Sequence, residues 1–234
     1  PVLKNKLGIK DPAELDMIET SITASRILSV ETVTYNLPYD FSRLKAIHRY
    51  LFSPIYTWAG EVRKVNVEKA EKVLNGLSVS YCDYSMIEGE ANKAIKSMNR
   101  TDWLKMNLSK RAETYSKKVA ALWKIHAFRE GNTRTVMTFA AQFANDHGFP
   151  LDEPLFKKYA SFTRSALVMA SIGEYSEYGH LTKIIRNAMI AGQEKKLKKE
   201  KAIPSLQQEP DPITEYCRAK YAEKDHRRST DLER

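Results

Sequence analysis

Apolar residues recur at helical spacing through most of this 234-residue chain, and that recurrence restricts its fold more than any other feature. The first run follows Asp11-Pro12, a pair typical of a helix start, with aspartate as the cap and proline in the first turn. We therefore predict a mainly helical, all-α fold. The predicted helices cover residues 12–29, 41–52, 86–98, 103–123, 131–147, 154–171 and 175–190.

One segment departs from the helical pattern. Between Val62 and Tyr81, β-branched residues first alternate with polar ones, and Asn75-Gly76 then gives a turn signal. Residues 77–81 follow as a candidate returning strand. We predict one small β-hairpin here, as the single β element of the fold.

The densest chemistry lies between His126 and Thr135, where the sequence is H-A-F-R-E-G-N-T-R-T. The stretch offers a proton acceptor, a carboxylate, a glycine, a side-chain amide and an arginine, and an apolar run at helical spacing follows it. This pattern predicts a polar loop that leads into a buried helix. Free N–H groups and the positive dipole end of a helix start favour anions, above all phosphates. The stretch therefore indicates chemistry on a nucleotide.

These residues resemble the signature of the Fic family, H-x-F-x-(D/E)-G-N-G-R-x-x-R. Segments 3–9, 47–52 and 56–63 also resemble parts of family members, so the resemblance covers roughly residues 1–190. The signature positions that match are His126, Phe128, Glu130, Gly131, Asn132 and Arg134.

The resemblance implies a protein adenylyltransferase that moves AMP from ATP to a hydroxyl of a target protein. In that reaction His126 takes the proton of the hydroxyl, a role that suits a neutral imidazole. Glu130 would bind Mg²⁺, an ion that commonly takes one or two carboxylates together with water and substrate phosphate oxygens. Taken alone, His126 would more simply be a core histidine.

The resemblance also implies a set of nucleotide-binding residues. A cation such as Arg134 is disfavoured in the first turn of a helix unless an anion is present, and its fork fits phosphate oxygens. Outside the motif, Lys69-Ala70 stands where many members have Lys-Gly. On their own, Gly131 and Asn132 would equally suit a loop and a helix cap. The full set is Gly131, Asn132, Thr133, Arg134, Lys69 and Ala70.

Two positions depart from the signature: Thr133 replaces a glycine and Met137 replaces a second arginine. In many members that arginine grips the γ-phosphate and pairs with an inhibitory glutamate in the pattern S/T-x-x-x-E-G/N, which this chain lacks. We therefore hypothesise that the protein is not self-inhibited in the usual intramolecular way, and that any restraint comes from a separate, antitoxin-like partner or from another contact. Arg164 is a candidate for the missing charge.

The predicted hairpin corresponds to the flap of the family. An exposed strand edge there would dock an extended target segment through main-chain hydrogen bonds, and the alternative is a surface hairpin with no partner. Tyr56 and Trp58 are expected to pack at the base of the flap. Phe128 and Phe139 are expected in the core.

Composition sets the domain boundary. Hydrophobic residues make up 42% of the chain, enough for a core, and the lysine-rich character after Gly192 predicts a Fic domain over 1–192. Residues 193–234 are predicted to be a basic, proline-containing tail or linker with a short helix near 213–222. No membrane span or secretory leader is expected, so a cytoplasmic protein, or an effector delivered from a bacterial cytoplasm, is the simplest prediction.

Two alternatives to AMP transfer stay open. Doc-type relatives transfer the γ-phosphate by binding the nucleotide in reverse, and Gly131 argues against this while Thr133 leaves it open. A basic helical binding module with a decayed site is the other alternative, suggested by the net charge of +9. The retained motif residues argue against it, and nucleic acid is not an expected partner.

Overall fold

The computed structural model describes residues 2–202, which contain nine α-helices and no β-strand. Short 3-10 turns lie at Lys72–Leu74, Tyr84–Met86 and Gly173–Tyr175. The predicted all-α fold is therefore confirmed. The helices are α1 Pro12–Ile27, α2 Glu31–Thr34, α3 Phe41–Phe52, α4 Ile87–Asn99, α5 Leu108–Ile125, α6 Asn132–Asp146, α7 Glu153–Lys158, α8 Ala160–Met169 and α9 Gly179–Ala202.

Side-chain caps fix where the main helices begin. The Asp11 carboxylate accepts from the Glu14 N–H at 2.7 Å, and Asp40 and Asn107 cap α3 and α5 in the same way. Each such cap satisfies an N–H that the helix itself leaves unpaired, and typically contributes about 1 kcal/mol. The predicted start at Asp11-Pro12 and the predicted bounds of α3 are confirmed.

Helix α6 lies at the centre of the core and packs against both α3 and α5. Phe139 and Phe143 are fully buried on it, and the Tyr115 hydroxyl of α5 donates to the Ala140 carbonyl at 2.6 Å. Burying one such aromatic side chain stabilises a fold by about 1.5–3 kcal/mol. The start of α6, where the motif ends, is consequently held on a rigid element.

The flap, the name kept here for residues 62–81, is not the predicted hairpin. The Asn75-Gly76 turn forms with φ of 54° and 90°, and Glu71 donates its N–H to the Leu77 carbonyl. The flanking chain forms no ladder, and the Arg63 guanidinium instead takes the carbonyls of Val65 and Cys82. A lone two-stranded hairpin is marginal in water, so these side-chain contacts prevail.

Two further predictions concern the helix over 154–171 and the carboxyl-terminal part of the chain. The predicted helix over 154–171 is broken at Tyr159 into α7, which contacts α6, and α8, which contacts the 3-10 turn of the flap. Contacts within the chain separate residues 1–194 from the rest, and the helix predicted near 213–222 lies outside the described residues. Within residues 2–202 no helix is both long and hydrophobic enough to cross a bilayer.

Candidate active site

His126 stands at the carboxyl end of α5 in a left-handed conformation, with φ 50° and ψ 55°. Its N–H closes the helix on the Trp123 carbonyl at 3.0 Å, and the chain then turns into the motif loop. The residue is only 2% exposed, and neither ring nitrogen has a hydrogen-bond partner among the described residues. Tyr81 of the flap stacks on it with centroids 4.0 Å apart. Buried, unpartnered nitrogens of this kind call for an explanation, because buried polar atoms are almost always paired.

Burial lowers the pKa of His126 to about 3, and the nearby charges of Lys69, Arg164 and Arg63 add to this effect. Glu130 acts in the opposite direction but does not offset them. The imidazole is therefore neutral at pH 7, in the protonation state that a general base requires.

Glu130 carries the carboxylate nearest to His126 in the motif. One oxygen accepts from the ammonium of Lys69 at 2.7 Å, and the other accepts from the Gly131 N–H at 3.0 Å. Burial alone raises the pKa of the carboxyl, but Lys69, the Gly131 N–H and Arg134 outweigh it and hold the pKa below its usual value. An ionised, half-buried carboxylate of this kind is a suitable ligand for a hard cation.

The motif loop is braced from inside. Both ends of the Asn132 side chain bond to the main chain of Phe128, at 2.9 and 2.7 Å, so this amide holds the loop closed. Gly131 has φ 77°, and a side chain there would overlap the ring of Phe52. Only glycine fits this position, and it lets α6 begin directly behind the Glu130 carboxylate.

Arg134 extends from the first turn of α6 towards α1. Its guanidinium pairs with the buried carboxylate of Glu19, donates to Thr23 at 2.9 Å and lies 5.2 Å above the Phe52 ring. The Tyr56 hydroxyl also donates to Glu19. Arg134 thus anchors the first turn of α6 to α1.

Comparison with known proteins identifies the family of this chain. A sequence model of the Fic/DOC family matches residues 38–144. The probable protein adenylyltransferase y4lH of Sinorhizobium fredii is 34% identical over 157 residues, which is 65% of this chain and 75% of the relative. This chain belongs to the Fic/DOC family.

Other relatives of this Fic protein extend the comparison. The protein adenylyltransferase VbhT of Bartonella schoenbuchensis is 31% identical over 183 residues, or 76% of this chain, but the chain spans only 34% of that relative. The crystal structure of the BepC protein of Bartonella tribocorum with bound AMPPNP superposes with a TM-score of 0.61 at 21% identity, covering 80% of this chain and 91% of that one. This superposition shows a shared fold.

The two departures from the Fic signature are both accommodated by packing. The Thr133 hydroxyl accepts from the Trp123 indole N–H at 2.9 Å, so its side chain is engaged with α5. Met137 is 7% exposed and belongs to the hydrophobic core, as do Phe128 and Phe139, which confirms the prediction for those two. The indole N–H is the only hydrogen-bonding group of the Trp123 side chain, and a glycine at position 133 would have no hydroxyl to accept from it.

Arg164 does not stand free beside the Fic motif. It donates to the carboxylate of Glu71 at 2.7 Å, and the Tyr81 hydroxyl donates to the same oxygen at 3.2 Å. Tyr81 also covers His126. Two contacts therefore hold the flap over the candidate base: the Arg164–Glu71 pair and the stacking of Tyr81 on the imidazole. Of the predicted flap pair, Lys69 reaches Glu130, whereas Ala70 is exposed.

Four residues of the site had no role assigned from sequence: Glu19, His48, Arg63 and Tyr81. Arg63 donates its main-chain N–H to the Ala127 carbonyl at 3.0 Å, and its Nε–H donates to the main-chain carbonyl of His126 at 2.8 Å. His48 and Arg63 fall in the segments that resemble the family, which was a usable signal. Glu19 lies outside the inhibitory pattern, and no sequence pattern marks it.

Proposed function

We propose that this Fic protein is a protein adenylyltransferase, which transfers AMP from ATP to a hydroxyl side chain of a target protein. Relatives named as protein adenylyltransferases, and a neighbour in fold that binds AMPPNP, support the proposal. The observation that carries it is the imidazole of His126, held neutral with two unpartnered nitrogens beside an ionised Glu130.

The proposed step is a displacement at the α-phosphorus. The target hydroxyl oxygen forms a bond to this phosphorus, the bond to the bridging oxygen breaks, and pyrophosphate leaves with that electron pair. The hydroxyl proton goes to a ring nitrogen of His126. Neutral at pH 7 but with a strongly lowered pKa, this ring is a weak acceptor while Tyr81 covers it, so displacement of Tyr81 by the target would also improve the base.

Glu130 is the residue that would hold Mg²⁺. Its carboxylate is ionised and faces the start of α6, and the described residues contain no cluster of three His, Cys, Asp or Glu side chains that would form another metal site. When bound, Mg²⁺ neutralises charge on the phosphates. Lys69 now occupies one carboxylate oxygen, so it must share or vacate that position.

The phosphates would lie at the beginning of α6. The first N–H groups of a helix have no partner within it, and here they follow Gly131, whose positive φ turns the chain into α6. The main chain of Asn132 and Thr133 and the guanidinium of Arg134 would contact them. The side chains of Asn132 and Thr133 are already engaged within the fold.

The flap is the proposed docking surface for the target. It presents three exposed apolar side chains, Val65, Val73 and Leu77, on a segment that is otherwise charged. A target segment would dock in extended form against these apolar side chains, with main-chain hydrogen bonds to the flap. A segment seated there would have its hydroxyl held near His126, and such positioning accelerates a bimolecular transfer strongly.

The test is to incubate the chain with a cell lysate and ATP labelled in the α-phosphate. We expect labelled protein bands with the parent and none with His126→Ala. His180→Ala removes an exposed histidine and serves as the matched control, with labelling retained. Label from the γ-phosphate instead would support phosphotransfer, and salt-sensitive DNA binding without any transfer would support a binding module.

A further inference from the structure

His48 is a fully buried histidine in α3, outside the Fic motif. Both of its ring nitrogens are used. Nδ1 lies 2.8 Å from the main-chain nitrogen of Gly60, and Nε2 lies 3.0 Å from the main-chain oxygen of Glu130. Unlike His126, therefore, this histidine has no free nitrogen with which to act on a substrate.

These two partners determine the tautomer. The Gly60 N–H can only donate, so Nδ1 must carry the lone pair, and the Glu130 carbonyl can only accept, so Nε2 must carry the proton. Only a neutral ring with this tautomer satisfies both contacts. Few side chains offer an acceptor and a donor on opposite edges of one rigid ring, which makes His48 difficult to replace.

The bond to Glu130 reaches its carboxylate through one peptide group. His48 holds the carbonyl of the Glu130–Gly131 peptide, and the N–H of the same peptide donates to the Glu130 carboxylate at 3.0 Å. A peptide group is planar, so fixing its oxygen also fixes the direction of its N–H. The orientation of the carboxylate consequently depends on His48.

The ring itself is held against rotation. It stacks on Phe128 of the motif with centroids 3.9 Å apart and 11° between planes, and on Phe52 at 4.8 Å. At its other edge, Gly60 has φ 84° and leaves no room for a side chain against Arg49. His48 thereby links the turn before the flap to the motif loop, two segments that are distant in sequence.

We propose that His48 is a positioning residue, which orients the Glu130 carboxylate for the metal and the nucleotide through the Glu130–Gly131 peptide. This inference rests on the proposed function of Glu130. Partners of this outer kind typically contribute about 10- to 100-fold to metal affinity.

Two conservative variants separate the two hydrogen bonds. Gln in place of His48 can keep the donor to the Glu130 carbonyl while losing the acceptor for Gly60, and Asn can keep the acceptor while losing the donor. The measurement is the affinity for the α,β-methylene analogue of ATP, by calorimetry, with Mg²⁺ and with chelator. The ratio of the two dissociation constants gives the contribution of the metal, and Glu130→Gln defines the value without the carboxylate.

We expect the ratio of dissociation constants to fall about tenfold in His48→Asn, to a value close to that of Glu130→Gln. His48→Gln should keep most of the parent ratio. Amide exchange at Gly131, followed without metal or nucleotide, should quicken in His48→Asn and not in His48→Gln. Leu44→Ala, in the same helix and buried, controls for lost stability and should leave the ratio unchanged.

Equal ratios and equal Gly131 exchange in the two His48 variants would overturn the positioning role and leave a purely structural histidine. A parent protein that binds the analogue without any Mg²⁺ effect would contradict the proposed role of Glu130. In that case the exchange rates at Gly131 still decide whether His48 controls this peptide.

Discussion

The phenol ring of Tyr81 lies face to face with the imidazole of His126, with centroids 4.0 Å apart and 29° between the ring planes. Burial is the main reason that the pKa of His126 falls to about 3, so uncovering the ring should reverse the shift. We expect Tyr81→Ala to raise the pKa of His126 by at least one unit, towards its usual value near 6.5. The measurement is an NMR titration of the His126 ring proton.

Tyr81→Phe is the control, since it keeps the stacked ring and removes only the hydroxyl that bonds to Glu71. Its His126 should titrate as in the parent protein. If Tyr81→Ala left the pKa of His126 unchanged, burial by the flap would not be its cause.

Acid stability offers a second measurement on His126. The pKa is lowered in the folded state, so the unfolded chain binds a proton first and the protein loses stability as pH falls below about 6.5. This single group should remove about 1.4 kcal/mol of unfolding free energy per pH unit below that point. We expect His126→Phe, compared with the parent by urea unfolding between pH 7 and 5, to show a shallower loss. Identical slopes would contradict a buried, neutral His126.

Arg134 and Glu19 should be strongly coupled in stability, because Glu19 is 4% exposed and Arg134 is its one ion-pair partner among the residues that the structure describes. We expect Arg134→Met to cost about 3 kcal/mol, and the double variant with Glu19→Gln to cost clearly less than the sum of the two changes. The exposed pair Lys117 and Glu113 is the control, and breaking it should leave the free energy of unfolding almost unchanged. Additive effects at Arg134 and Glu19 would disprove the pair.

The glycine of the motif can be tested against another glycine of similar φ. Gly131 and Gly173 have φ of 77° and 82°, but only at Gly131 would a side chain meet Phe52. We expect Gly173→Ala to cost about 1–2 kcal/mol from backbone strain alone. Gly131→Ala should cost about 1–3 kcal/mol more, from overpacking. Equal losses in urea unfolding would show that the loop relaxes away from Phe52.

Lys69 competes with a metal for Glu130, since its ammonium lies 2.7 Å from the carboxylate. In the absence of nucleotide, Lys69→Met should therefore bind Mn²⁺ about threefold more tightly, as measured by electron paramagnetic resonance. Lys64→Met, at an exposed position of the flap, should leave the affinity unchanged. Weaker Mn²⁺ binding in Lys69→Met would instead make the lysine a partner of the site.

Sequence patterns predicted what depends on neighbouring residues. The cap at Asp11, the bounds of α3 and the turn at Asn75-Gly76 follow from local signals, and the structure confirms all three. The hairpin is absent, and Arg63 instead takes the carbonyl of Val65 within the predicted first strand, since a lone two-stranded hairpin is marginal in water.

The polar contacts of the site were beyond sequence reasoning for a related reason. Glu19 meets Arg134 across 115 positions of sequence, and His48 meets Glu130 across 82. A buried carboxylate and a buried histidine on amphipathic helices look like ordinary polar residues until the opposite partner is placed. The motif itself marked His126 and Glu130, but not how each is held.

Arg63 joins the root of the flap to the main chain of the candidate base and of both its neighbours, through the carbonyls of Ile125, His126 and Ala127. A displacement of the flap root on docking of a protein would therefore also displace the main chain that carries the imidazole. Selectivity for new substrates could then diversify at the flap tip, around Leu77, while the root stays constant and preserves the alignment that chemistry requires.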